Sequence, residues 1–141
     1  MTRRSVVIDV AVRILYPVML MASVWILFRG HNEPGGGFVG GMIAVCATTV
    51  LAVARGHAHA LARMPLGPAR LSNCGALLAL TSGLAAVLTD RPYLTHLWGT
   101  LPPGLDVSTV YAFDIGVYLT VWGALGGLAS YAIALDEEPR A

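Results

Sequence analysis

The chain has 141 residues, 56% of them hydrophobic and 12% charged, with a mean hydropathy of +0.69; that is about half the charge of an ordinary soluble domain, and it excludes one. Its nine basic residues are all arginine, the net charge is +1, and no dense basic patch is interleaved with aromatics, so nucleic-acid binding has no support. Cys46 and Cys74 lie in apolar runs without C-x-x-C spacing, which argues for small buried hydrophobes rather than zinc, redox or disulfide chemistry, and no cofactor or metal is expected.

Four apolar runs follow in chain order, predicting an all-α membrane protein with four transmembrane helices, short loops and no soluble domain. The opening "MTRRSVV" has the look of a signal peptide, but three further runs favour an uncleaved anchor. The first span covers residues 10–28, with Arg13 snorkelling to the headgroups and Asp9, four residues earlier, set for an interfacial ion pair. A second span covers 38–54, about 26 Å of helix and just enough for a hydrocarbon core. The third covers 71–89 and is rich in small residues; the fourth covers 110–135. Arginines at 3, 4, 13, 55, 63, 70 and 140 fall on one side of these spans and only Arg29 and Arg91 on the other, which places both termini in the cytoplasm. The loop "DRPYLTHLWGTLPPGLDVST" then faces outward without periodic structure, Tyr93 and Trp98 being suited to an interfacial belt. His57 and His59, two apart in an arginine-flanked segment, read as a solvated loop rather than a metal pair, and His96 reads likewise.

Between the first two spans stands "FRGHNEPGGGFVGG", residues 28–41. It contains a literal G-x-G-x-x-G, but no strand or soluble βαβ unit surrounds it, so a dinucleotide site is excluded. Pro34 stiffens one side of the turn, Gly35 is permissive on the other, and Gly36 with Gly40 and Gly37 with Gly41 form two G-x-x-x-G pairs beside Phe38. His31, Asn32 and Glu33 either solvate the turn or, as oxygen ligands and a proton-exchanging imidazole, border an ion path. Asp114 is the single charge inside the fourth span, so it needs a protein interior, a water-filled cavity or a partner. Tyr111 and Tyr118 share its helix face and offer hydroxyls to it. Gly75, Ala79 and Gly83 in the third span, and Gly123, Gly126 and Gly127 in the fourth, form small faces expected to meet other subunits.

"GHNEPGGGFVGG", followed by a small-apolar span and later by "FDIGVYLTVWG", resembles the MnhB/MrpB-type subunit of the multisubunit Na⁺/H⁺ antiporters called Mrp, Mnh or Pha, over nearly the whole chain. The matching positions are Gly30, His31, Asn32, Pro34, Gly35, Gly36, Gly37, Phe38, Gly40 and Gly41, together with Asp114, Ile115 and Gly116. The resemblance implies a single MnhB-like domain over 1–141 in a bacterial plasma membrane. It also implies a non-catalytic part of a hetero-oligomer related to the membrane arm of respiratory complex I, whose other polytopic subunits carry the proton channels and which exchanges Na⁺ for H⁺. Related modules in membrane-bound hydrogenases, and a homo-oligomeric small transporter, are the alternatives. A membrane enzyme is disfavoured because the histidines and cysteines are scattered.

Overall fold

The computed structural model describes residues 6–30, 35–88, 92, 95, 98–101 and 105–137. Helices α1 (Val6–Arg29), α2 (Gly37–Arg55), α4 (Pro68–Val87) and α5 (Thr109–Glu137) cover the four apolar runs. Each forms because its run is long, apolar and free of interior proline, apart from Pro17 in α1; membrane helices tolerate an interior proline because neighbouring groups satisfy the carbonyl it frees. Pro68 opens α4 in the first helical position, where its missing N–H goes unneeded. Among the described residues, three helices are long and apolar enough to cross a membrane, over Val7–Arg29, Gly37–Arg55 and Thr109–Leu135.

The helix directions follow from named contacts. Gly40 near the start of α2 meets Ser23 and Leu27 near the end of α1, while Arg55 at the end of α2 reaches Asp9 at the start of α1, so these two are antiparallel. α2 and α5 run parallel, with Gly37 against Asp114 and Gly41 against Tyr118 and Val121. α4 and α5 are antiparallel along a seam in which Gly116 abuts Gly75 and Ala79, Thr120 abuts Gly75, Gly123 abuts Ser72, and Gly127 abuts Pro68. A Cβ on Gly75 would lie 2.5 Å from the Thr120 nitrogen, and one on Gly123 2.5 Å from that of Ser72. Backbones therefore touch, and of the small residues expected to meet other subunits, Gly75, Ala79, Gly123, Gly126 and Gly127 are packed within the chain. With α1 and α4 pointing one way and α2 and α5 the other, the start of α1 and the end of α5 lie at the same end of the bundle.

Two apolar clusters fill the interior. Val12 and Tyr16 of α1 pack with Ala47, Leu51 and Ala52 of α2 at the arginine-rich end, and Leu27, Ala44, Leu71, Tyr118 and Trp122 pack with Met64 further along. The outward faces are just as apolar, Ile14, Met21, Trp25 and Leu128 being 61–66% exposed. Side chains of this kind face outward in such numbers only where the surrounding solvent is hydrocarbon.

The structure corrects three expectations. Cys46 and Cys74 are exposed on outer faces, not buried, because the interior-facing positions of their helices are taken by alanines and glycines. The 57–62 segment is a short helix, α3 (His57–Ala62), set off from α2 by Gly56 at φ 92, and it turns Ala60 into the core. The segment between α4 and α5, expected to lack periodic structure, contains an antiparallel ribbon, β1 (Trp98–Leu101) with β2 (Leu105–Ser108), registered Trp98↔Ser108 through Leu101↔Leu105. Thr100 and Val107, β-branched and flanking a Pro-Gly turn signal, favour that pairing. β2 runs directly into α5, where the Ser108 hydroxyl accepts from the Val110 N–H at 3.2 Å as an N-cap.

Candidate functional site

The connection from α1 to α2 closes at backbone contact. Gly36 has φ 90 and ψ −171, a conformation open to glycine alone without strain, and its N–H donates to the Ile26 carbonyl at 3.2 Å. A Cβ on Gly35 would lie 2.8 Å from that same carbonyl, and one on Gly30 would overlap the Gly36 nitrogen and Cα. Four glycines, at 30, 35, 36 and 37, thus let the chain reverse in the least space.

Asp114 of α5 lies over this turn. A Cβ at Gly36 would be 3.5 and 3.7 Å from its two carboxylate oxygens, and one at Gly37 would overlap its backbone carbonyl. The partly buried carboxylate therefore sits beside the N-terminus of α2, where the positive end of the helix dipole and the unpaired first-turn N–H groups favour negative charge. It makes no hydrogen bond among the described residues.

Tyr118 and Trp122 continue the same face of α5 at four-residue steps. The Tyr118 hydroxyl and Ser23 Oγ of α1 are 2.9 Å apart, and Ser23 Oγ donates to the Leu20 carbonyl at 2.7 Å. Trp122 Nε1 donates to Thr48 Oγ1 of α2 at 2.8 Å, and that hydroxyl donates to the Ala44 carbonyl at 2.9 Å. Both hydroxyl residues are fully buried, and the two aromatic rings meet edge to face at 5.9 Å. One face of α5 is thereby tied to α1 and α2 by single hydrogen bonds below the carboxylate. Helical spacing offers Tyr118 to Asp114; its hydroxyl instead serves Ser23. The sequence alone does not single out Ser23, Thr48 or Trp122, although Trp122, eight residues from Asp114 on its helix face, is a readable signal.

Of the other candidate residues, His31, Asn32, Glu33 and Pro34 lie outside the described residues. Gly37 and Gly41 face α5, whereas Gly40 faces α1 and Gly36 lies under Asp114 of α5 while donating its N–H to Ile26 of α1, so one G-x-x-x-G pair serves α5 and the other serves both neighbours. Gly123 and Gly127 belong to the seam with α4. Phe38 is 60% exposed and takes no part in the turn's packing, since α2 aims it away from both α1 and α5. Asp9 does approach Arg13, at 3.8 Å, but its nearer partner is Arg55 at 2.7 Å, a pair that joins the ends of two helices rather than one turn of one helix. His59 is not solvated as expected: its Nε2 is buried, because α3 folds back onto the bundle.

Apolar outer faces, backbone-contact seams and single buried hydrogen bonds define a helical integral-membrane protein. Residues 7–127 match the model of a family described as a domain related to the MnhB subunit of Na⁺/H⁺ antiporter, and the chain belongs to that family. The B-type subunit of the Na⁺/H⁺ antiporter of Bacillus subtilis (strain 168) is 30% identical over 123 residues, 84% of this chain and 86% of that protein. Its counterpart in Alkalihalophilus pseudofirmus (strain ATCC BAA-2126 / JCM 17055 / OF4) is 29% identical over 123 residues, 84% of this chain and 85% of that protein. Among solved structures, the Mrp complex from Dietzia sp. DQ12-45-1b contains a chain that matches with a TM-score of 0.79 and 28% identity. The match covers 96% of this chain but only 15% of that one, so this protein corresponds to a small portion of a much longer polypeptide there.

Proposed function

We propose that this chain is the B-type subunit of a multisubunit Na⁺/H⁺ antiporter in a bacterial plasma membrane, a non-catalytic part that assembles with other polytopic subunits. The observation that carries this reading is the match of nearly the whole chain to part of the Mrp complex, alongside relatives named as the B-type subunits of such antiporters. In it, α4 is a fourth crossing: its 20 residues give about 30 Å of helix, and its backbone is in contact with α5 along the seam. Asp114, together with Glu33, His31 and Asn32 of the segment that joins α1 to α2 in sequence, borders the cation or proton route and balances its charge. The Asp114 carboxylate is partly buried beside the N-terminus of α2, whose positive dipole end offers it a protein surrounding in place of lipid.

Purification of the tagged full chain in mild detergent is expected to bring down further polytopic subunits in fixed stoichiometry. A homogeneous assembly of this chain alone would contradict the proposal. Orientation has its own test. With both termini cytoplasmic, and Cys46 and Cys74 replaced by serine, a cysteine at Thr100 should react with an impermeant thiol reagent from outside and one at His57 should not. The reverse pattern would place the arginine-rich end outside.

A further inference from the structure

At the arginine-rich end, a groove of about 340 Å³ opens between α1, the end of α2 and α3, with Arg13, Tyr16, Arg55, His59 and Arg63 among its walls. Among the described residues the charged side chains of its walls are three arginines: Arg55 bonds Asp9 at 2.7 Å, Arg13 stands 3.8 Å from the same carboxylate, and Arg63 lines the groove with them. Arg63 is close enough to act electrostatically on the Tyr16 phenol, and His59 Nε2 is buried with no hydrogen-bond partner among the described residues. The groove does not end in polar walls. Leu20 and Met21 line it and also line a second, wholly apolar trough of about 510 Å³ that continues along the outer side of α1 past Val24 and Trp25.

We propose that this groove binds an anionic phospholipid, with its phosphate held by Arg13, Arg63 and His59 and one acyl chain laid along α1 to Trp25. The two ends of the site demand different chemistry from one ligand, a negative head and a long apolar tail, and an amphiphile supplies both. A free phosphate would leave the apolar trough unused. From Arg13 to Trp25 is about 18 Å along the helix, close to the depth of one leaflet of a hydrocarbon core roughly 30 Å thick. Basic pockets between helices at the membrane boundary recognise phosphate headgroups in this manner.

The test uses the full chain in phosphatidylcholine vesicles carrying trace spin-labelled phosphatidylglycerol or phosphatidylcholine. Motional restriction of the anionic lipid should exceed that of the zwitterionic one by about fivefold, the effect of roughly one unshared positive charge at the surface. Arg13→Gln with Arg63→Gln should bring the two lipids to parity; both arginines are exposed, so neither substitution disturbs the core. Arg70→Gln, an exposed arginine of α4 that is not among the groove's walls, should leave the preference intact. Equal restriction of both lipids by the parent chain, or an equal loss in Arg70→Gln, would overturn the proposal. So would a photoreactive residue at Met21 in the intact assembly that attaches to another polypeptide instead of to lipid. The test depends on the membrane reading and not on which ions the assembly moves, so its failure and that of the antiport proposal are separable.

Discussion

Gly37→Ala is expected to abolish accumulation of folded chain, although it adds a single methyl group. That methyl would overlap the backbone carbonyl of Asp114, and neither partner is a side chain that can swing aside. Overpacking that side chains can absorb costs about 1–3 kcal/mol; here relief requires α2 and α5 to separate, which also breaks the packing of Gly41 on Tyr118 and Val121. The effect lives at the level of packing within one chain, so loss should be visible before any partner is met. Yield of monodisperse protein and its helix content by circular dichroism provide the check, with Phe38→Ala as the neighbouring control, since that side chain is 60% exposed. A Gly37→Ala chain that accumulates and melts like its parent would show that the seam is looser than described.

Asp114→Asn is expected to assemble and to lose most exchange. Asparagine keeps the size of the side chain, leaves the backbone contact with Gly37 untouched and removes only the charge. The carboxylate is partly buried and lies beside the positive end of α2, a placement where one negative charge is worth up to about 2 kcal/mol. If Asp114 borders the ion route as proposed, its removal changes the charge balance there by a comparable amount, which predicts a fall of about tenfold or more in rate or apparent Na⁺ affinity. Tyr118→Phe separates this from a packing effect: it breaks the bond to Ser23, worth about 0.6 kcal/mol on average in a membrane helix pair, and leaves the carboxylate in place. Assembled Asp114→Asn complexes with unaltered exchange would reduce Asp114 to a structural role.

The helices are legible in the sequence because uncharged runs of the right length leave the backbone no other way to satisfy its hydrogen bonds in hydrocarbon. The turn at 35–37 is legible for a related reason: a glycine run after a proline has little other use between two such helices. What the glycines meet is not legible. Gly75 and Ala79 on one helix, and Gly116 and Gly123 on another, have spacings that fit an antiparallel seam, but spacing does not say whether the facing helix belongs to the same chain. The partner of Tyr118 is hidden because i,i+4 neighbours on one helix are visible in sequence while Ser23, 95 residues away, is not. His59 reads as solvated because a six-residue helix with no apolar stripe of its own gives no signal that tertiary packing will bury it. The ribbon at 98–108 is masked by the prolines of its loop, which argue against strands more loudly than two β-branched residues argue for them.

The most direct measurement is Na⁺-dependent dissipation of a proton gradient in everted membrane vesicles from cells lacking this chain but expressing the remaining subunits of its complex. If the chain is the B-type subunit of a Na⁺/H⁺ antiporter, those vesicles show no exchange above background, and supplying the intact chain restores it. Exchange of equal rate with and without the chain would contradict its assignment to the antiporter.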